Sequence, residues 1–152
     1  MSLLIRGGTV LTLNDRWDMV EGDVSIRDGR IAAIGPNLTG HHDRVVDARG
    51  GYILPGLIQT HIHLCQTLFR GYADDLALMD WLRTRVWPME AAHTPESLRA
   101  ATQLATTELL SSGTTAVLTM ETVHDTDVVF EAVAESGLRA TIGKCISARS
   151  SA

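Results

Sequence analysis

Cysteine is nearly absent, with Cys65 and Cys145 the only two among 152 residues. Two thiols cannot staple a small secreted scaffold, and both lie among apolar neighbours, so they read as reduced and buried in a cytoplasmic protein. Aromatic residues are scarce at 5%, and cations are outnumbered, with 13 Lys and Arg against 18 Asp and Glu for a formal charge of −5. A chain with no basic face and no interleaved stacking platform offers little to phosphates or bases, so no nucleic acid partner is expected. Long apolar runs are missing too. The longest, Tyr52 to Ile58, is interrupted by Pro55 and Gly56 and falls short of the ~20 residues that a membrane span requires. At the start, Met1 to Arg6 reaches a charge and then Gly7-Gly8 before a signal-peptide core can develop, and export is not expected. What is present is globular stock. With 45% hydrophobic and 20% charged residues, the chain has the apolar mass to bury a core and the length of one domain or slightly more.

Up to Val46 the pattern is short β-rich runs broken by Gly and Asp. Leu3 to Ile5 stops before Gly7-Gly8, Thr9 to Leu13 follows, and Val24 to Arg27 and Arg30 to Ile34 flank Asp28-Gly29. That dipeptide predicts a type I′ hairpin, whose two central residues both need φ > 0. His41 and His42 fall in the polar stretch beyond it and read as solvated loop. Residues 1–50 thus predict a small antiparallel β module.

From residue 51 the period changes. Tyr52 to Leu54, a Pro55-Gly56 turn and Leu57 to Leu64 predict a buried strand. Leu76 to Met89 carries Leu78, Trp81, Leu82, Arg85 and Val86 at helical spacing, with Pro88 expected to end that helix. Thr94 as N-cap and Pro95 at the first helical position open a second helix, with Leu98, Ala101, Ala105 and Leu109 on one face and Gly113 as its stop. Thr114 to Met120 predicts a strand, Asp125 to Ser136 a helix closed by Gly137, and Leu138 to Ile146 a strand buried on both faces. This alternation favours a parallel sheet with right-handed crossovers over residues 51–146. Residues 147–152 are polar and patternless, an irregular tail.

His61 and His63 stand two apart in the run from Leu57 to Leu64. The side-chain period of a strand is two, so both imidazoles share one face while Ile62 and Leu64 share the other. Two convergent imidazoles can share a cation. Zinc binds His nitrogen at ~2.0–2.1 Å, and a catalytic zinc takes about three protein ligands plus a water. The pair is part of such a site, although the spacing alone serves packing or hydrogen bonding as well as metal binding.

The surrounding residues say more. Val46-Asp47-Ala48-Arg49-Gly50-Gly51-Tyr52-Ile53-Leu54-Pro55-Gly56-Leu57-Ile58-Gln59-Thr60-His61-Ile62-His63 resembles the run leading into the first barrel strand of the amidohydrolase superfamily. Ile5-Arg6-Gly7-Gly8-Thr9-Val10 with Asp28-Gly29-Arg30-Ile31 resembles the small β-sandwich preceding that barrel. Gln66-Thr67-Leu68-Phe69-Arg70-Gly71, Asp74-Asp75-Leu76, Trp81-Leu82 and Trp87-Pro88-Met89-Glu90 are similar to one branch of it. That branch holds the adenosine-type, S-adenosylhomocysteine and guanine-related deaminases and the triazine chlorohydrolases. The resemblance implies an α/β fold, with β-sandwich strands followed by the first part of a (β/α)8 barrel whose site lies at the C-terminal strand ends.

The resemblance also implies roles. His61 and His63 match the first two ligands of one divalent metal ion, zinc ahead of iron, although imidazole suits both. The ion would lower the pKa of a water that displaces ammonia or chloride from an electron-poor ring carbon. Proton-transferring groups on later strands have no counterpart here. Glu90, directly after Trp-Pro-Met, sits where adenosine-type deaminases carry a glutamate for substrate hydroxyls. Gln66 could present its amide to a heterocycle edge or cap the strand end. Trp81 and Trp87 have helical spacing that fits core packing, with Trp87 the candidate wall of the substrate pocket. Glu121 is a further candidate pocket carboxylate, His93 reads as a helix-start cap, His124 as a loop residue facing solvent, and Asp74-Asp75 as a solvated turn.

A complete barrel takes ~250 residues and roughly 90 follow His61, enough for about three strand-helix units. The barrel is therefore expected to be incomplete in this chain, with an open edge available for self-association. The function expected is the N-terminal part of a metal-dependent hydrolase of carbon-nitrogen bonds other than peptide bonds. It would act on a purine-, nucleoside- or triazine-like small molecule and be inactive at this length. The alternatives are a non-catalytic binding module that keeps the His pair and an interaction module that uses the open edge.

Overall fold

Gly7-Gly8, which the sequence offers as a strand end, is a bulge inside one strand. In the computed structural model, which describes residues 1–122 and 124–145, β1 (Ser2–Leu11) runs straight through the pair. Its register against antiparallel β2 (Met19–Arg27) shifts between Ile5 and Gly8, and Gly7 takes φ 74°. A bulge adds one residue and bends the strand without ending it, and glycine adopts that φ without a Cβ penalty. The carboxylate of buried Asp23 accepts the Gly7 N–H at 2.8 Å and the Leu38 N–H at 2.9 Å, so the backbone groups freed by bulge and loop are paired.

β2 and β3 (Arg30–Gly35) close the predicted hairpin at Arg27 and Arg30, with Asp28 at φ 50° and Gly29 at φ 73°. The sheet order is β3-β2-β1-β4, with β5 also on β1. The module is mixed rather than antiparallel throughout. β4 (Arg44–Asp47) and β5 (Tyr52–Ile53) both run parallel to β1, because the polar stretch after β3 carries the chain back before β4 enters. His42 is not simply solvated: its half-buried ring donates from Nδ1 to the Gly40 carbonyl at 3.2 Å and meets Ser25 Oγ through Nε2 at 2.9 Å. Because Tyr52 and Ile53 pair with Thr9 and Val10, this first compact unit extends to Pro55, and the second starts at Gly56.

The second unit has the parallel sheet order β6 (Leu57–Ile62), β7 (Thr114–Glu121), β8 (Arg139–Lys144). Among the described residues four α-helical segments accompany it: α1 (Leu78–Trp81), α2 (Trp87–Ala91), α3 (Pro95–Ser111) and α4 (Thr126–Ser136). Thr94 caps α3 in a reciprocal box with Ser97, and Gly137 closes α4 at φ 77°. The core gathers Leu64, Cys65, Leu98, Ala105, Val129 and Val133, with Ile62, Leu109, Val128 and Ile142 packed against it.

Pro88 does not end its helix. A wide turn, Leu82–Val86, precedes it, and the Trp87 N–H reaches back five residues to the Leu82 carbonyl. Widening of this kind relieves the crowding between a proline ring and the carbonyl four residues earlier, and the helical path continues to Ala91.

The burial expected of the outer strands is also not found. Leu57 and Ile58 of β6 are 55% and 70% exposed, and along β8 only Ile142 is half-buried. Each is an edge strand with a single neighbour among the described residues. On central β7 the alternation is clear from Val117 onward: Val117, Thr119 and Glu121 are buried, while Leu118 and Met120 are each 49% exposed on the other face. Ile146 and residues 147–152 lie outside the described residues. Among those described, no helix is long and apolar enough to cross a membrane.

Candidate metal centre

β6 ends at Ile62, but its geometry carries on for one residue, since His63 keeps the extended conformation at φ −130° and ψ 100°. The period of two therefore holds across His61 and His63. Their ring centroids are 5.1 Å apart with the planes at 88°. His63 Nδ1 lies 2.7 Å from the Met120 carbonyl oxygen at the end of β7. A carbonyl only accepts, so the ring proton sits on Nδ1, and in the neutral ring Nε2 keeps its lone pair. One imidazole so oriented beside another is donor chemistry that zinc and iron both take. Among the described residues, no group of three or more His, Cys, Asp or Glu gathers around a common point.

The backbone beyond His63 turns at once into a 3-10 helix, Leu64–Phe69, which begins with no cap from the His63 side chain. Its first N–H groups need acceptors. Glu121 provides them: Oε1 accepts from Leu64 N at 2.9 Å and Oε2 from Cys65 N at 3.0 Å. At 2% exposure, Glu121 is thus not the open pocket carboxylate that its place at a strand end suggests. The Thr119 hydroxyl lies against Glu121 Oε1 and the Ile62 carbonyl oxygen.

Gln66 and Glu90, 24 residues apart in sequence, are brought together. Gln66 Nε2 donates to Glu90 Oε1 at 2.8 Å, and Cys65 Sγ lies 3.7 Å from the same oxygen. Burial foremost, then the charges of Glu121 and Glu90, pushes the Cys65 thiol above its ordinary range, so it stays protonated and unreactive. His93 does more than precede a helix. Its Nε2 donates to the Cys65 carbonyl at 2.9 Å, its Nδ1 meets Ser97 Oγ at 2.9 Å, and its ring stacks on Phe69 with centroids 5.2 Å apart. Sequence reasoning did not find this bridge, because the partner is a backbone carbonyl and leaves no trace in residue type.

A cavity of about 180 Å³ opens beside Gln66, walled by Phe69, Tyr72, Trp81, Arg85 and Met89 among others. The Arg85 guanidinium lies over the Tyr72 ring at 5.5 Å. Trp81 lines this cavity, whereas Trp87 is 50% exposed on α2 and is not part of its wall. His124 stands apart, 40% exposed and 3.0 Å from the Asp125 carboxylate.

The amidohydrolase family matches residues 52–152. A 5′-deoxyadenosine deaminase of Methanosarcina mazei is 43% identical over 141 residues, covering 92% of this chain and 32% of that protein. An adenosine deaminase of Xanthomonas campestris, solved with bound zinc, superposes with a TM-score of 0.80 at 35% identity, covering 91% of this chain and 32% of that one. The zinc complex of an atrazine chlorohydrolase of Arthrobacter aurescens gives a TM-score of 0.82 at 28% identity, covering 93% and 35%. The chain spans about a third of the length of the curated relatives it matches. That family match takes in the whole of the second unit, β6 to β8 included, and more than half of the chain, so the chain belongs to the amidohydrolase family.

Proposed function

We propose that this chain forms the opening part of the metal centre and substrate pocket of a zinc-dependent amidohydrolase that deaminates an adenosine-type nucleoside. One observation carries the reading: the two imidazoles lie side by side, ring centroids 5.1 Å apart, and the Met120 carbonyl orients His63 so that Nε2 is available as a ligand. A bound divalent ion supplies a water activated at neutral pH. His61 and His63 would hold that ion through their ring nitrogens. Glu90, oriented by the Gln66 amide, presents its remaining lone pairs to the hydroxyls of a ribose. The preference for zinc follows the zinc-bound neighbours, and the preference for a nucleoside over a triazine follows the higher identity to the deoxyadenosine deaminase. With no third ligand gathered among the described residues, the chain alone is inactive, and the reaction needs residues beyond these. The two unpaired cysteines fit a reducing, cytoplasmic setting.

The test is a zinc titration of the purified chain, alongside an ammonia-release assay on 5′-deoxyadenosine. Zinc should bind, binding should fall in His61→Ala and in His63→Ala, and ammonia should not appear. Zinc binding indifferent to both substitutions would refute the metal reading. Turnover abolished by them would refute the incompleteness of the site.

A further inference from the structure

We propose that Glu121 is a positioning residue for His63, holding the backbone from which the imidazole is aimed. This deepens the metal reading and rests on it only for its consequence in zinc binding. Three consecutive residues, His63, Leu64 and Cys65, are tied to two consecutive residues at the end of β7. His63 donates through Nδ1 to the Met120 carbonyl, and Leu64 and Cys65 donate through their N–H groups to the two oxygens of Glu121. Glu121 is itself pinned, since its backbone carbonyl accepts from Cys145 N at 3.1 Å and its side chain is 2% exposed. The clamp thus joins the end of β6 to the centre of the sheet.

The chemistry requires a carboxylate. Two adjacent N–H groups at the start of a 3-10 turn need acceptors, and here each is met by its own oxygen of one carboxylate. An amide of the same shape has one acceptor oxygen and an NH2 with two donor hydrogens, so Glu121→Gln sets that NH2 against one of the two backbone N–H groups or leaves that N–H unpaired. The peptide planes after His63 must then rotate. The ring is carried with them, and Nδ1 loses its alignment on Met120 O. Because its two oxygens are taken by the Leu64 and Cys65 N–H groups and the Thr119 hydroxyl, and its side chain is 2% exposed, Glu121 acts through His63 and not on a substrate.

The tautomer of His63 separates this role from general scaffolding. A free histidine in water favours the Nε2–H form, whereas the clamp holds His63 as Nδ1–H. Long-range proton-nitrogen correlation spectra of the metal-free 152-residue chain, labelled at histidine, read this directly. His42, whose Nδ1 donates to the Gly40 carbonyl in the other unit, is the internal control.

In the wild type, His63 should be Nδ1–H, and the Leu64 and Cys65 amides should exchange slowly with solvent. In Glu121→Gln, His63 should lose its fixed form while His42 keeps its own, and zinc affinity in competition with a chelating dye should fall by about tenfold. If the wild type holds the tautomer and the two slow amides but takes up no zinc, the clamp is supported and the metal reading alone fails. Wild-type Leu64 and Cys65 amides that exchange freely, or a wild-type His63 in the Nε2–H form, would overturn the proposal even if the variant does not fold. A folded variant with the His63 tautomer and zinc affinity unchanged would overturn it as well.

Discussion

Leu98→Ala should cost the second unit a large part of its stability, while Leu104→Ala on the same helix should cost almost nothing. Leu98 is fully buried and sits in the cluster with Leu64, Cys65, Val129 and Val133, where α3 packs on the 3-10 helix and α4. Removing three carbons there loses their transfer free energy and leaves a cavity that α4 and the 3-10 turn cannot close, a cost of about 2–5 kcal/mol. A domain of this size holds ~5–15 kcal/mol in total, so the unit moves to the brink of unfolding. Leu104 is 43% exposed and leaves no cavity when truncated, and its loss should stay within about 0.5 kcal/mol. The assay is urea unfolding followed by helical circular dichroism, which reports the second unit because all helices among the described residues lie there. The perturbation should also reach the candidate site, since Leu64 and Cys65 follow His63 directly. Equal shifts for the two variants, or a Leu98→Ala shift below about 1 kcal/mol, would refute the placement of the core beneath the site.

Three further outcomes follow from particular residues. Under native conditions a thiol reagent should modify Cys145, which is half-buried, and spare Cys65, whose buried thiol is held protonated; two reacting thiols per folded chain would contradict this. The hydrogen bonds from Arg49 hold the Asp47 carboxyl down to about 2. A carboxylate depressed in the folded state stabilises above its unfolded pKa and loses that contribution as pH falls through ~2. A carbon-detected titration should find that midpoint, and Arg49→Ala should return it to the ordinary carboxylate range, with little change in melting temperature at pH 7 because the pair is exposed. Finally, β6 and β8 each present an unpaired edge among the described residues, with Ile58 70% exposed. Sedimentation should therefore show concentration-dependent association that Ile58→Lys weakens, and a clean monomer at all concentrations would contradict it.

Local chemistry explains what could be read from the sequence. The Asp28-Gly29 hairpin, the Thr94-Pro95 start of α3 and the Gly137 stop of α4 each depend on a few adjacent residues whose side chains or φ preferences act within one turn. The shared face of His61 and His63 follows from a period of two that survives past the strand end. Features that depend on distant partners could not be read. Gly7-Gly8 looks the same in sequence whether it ends a strand or bulges within one, and its outcome is set by β2 and Asp23. Pro88 passes through its helix because the turn before it can widen. The exposure of β6 and β8 reflects that each has one strand neighbour among the described residues rather than their own residues, and the burial of Glu121 is decided by N–H groups that lie 56 and 57 residues away along the chain.

X-ray absorption at the zinc edge of the zinc-loaded chain tests the central claim most directly. The account predicts imidazole scattering from two histidine nitrogens at ~2.0–2.1 Å. That signal should drop to a single imidazole in His61→Ala and in His63→Ala, with both variants still folded. Zinc surrounded by oxygen alone, or an imidazole signal that neither substitution changes, would contradict it.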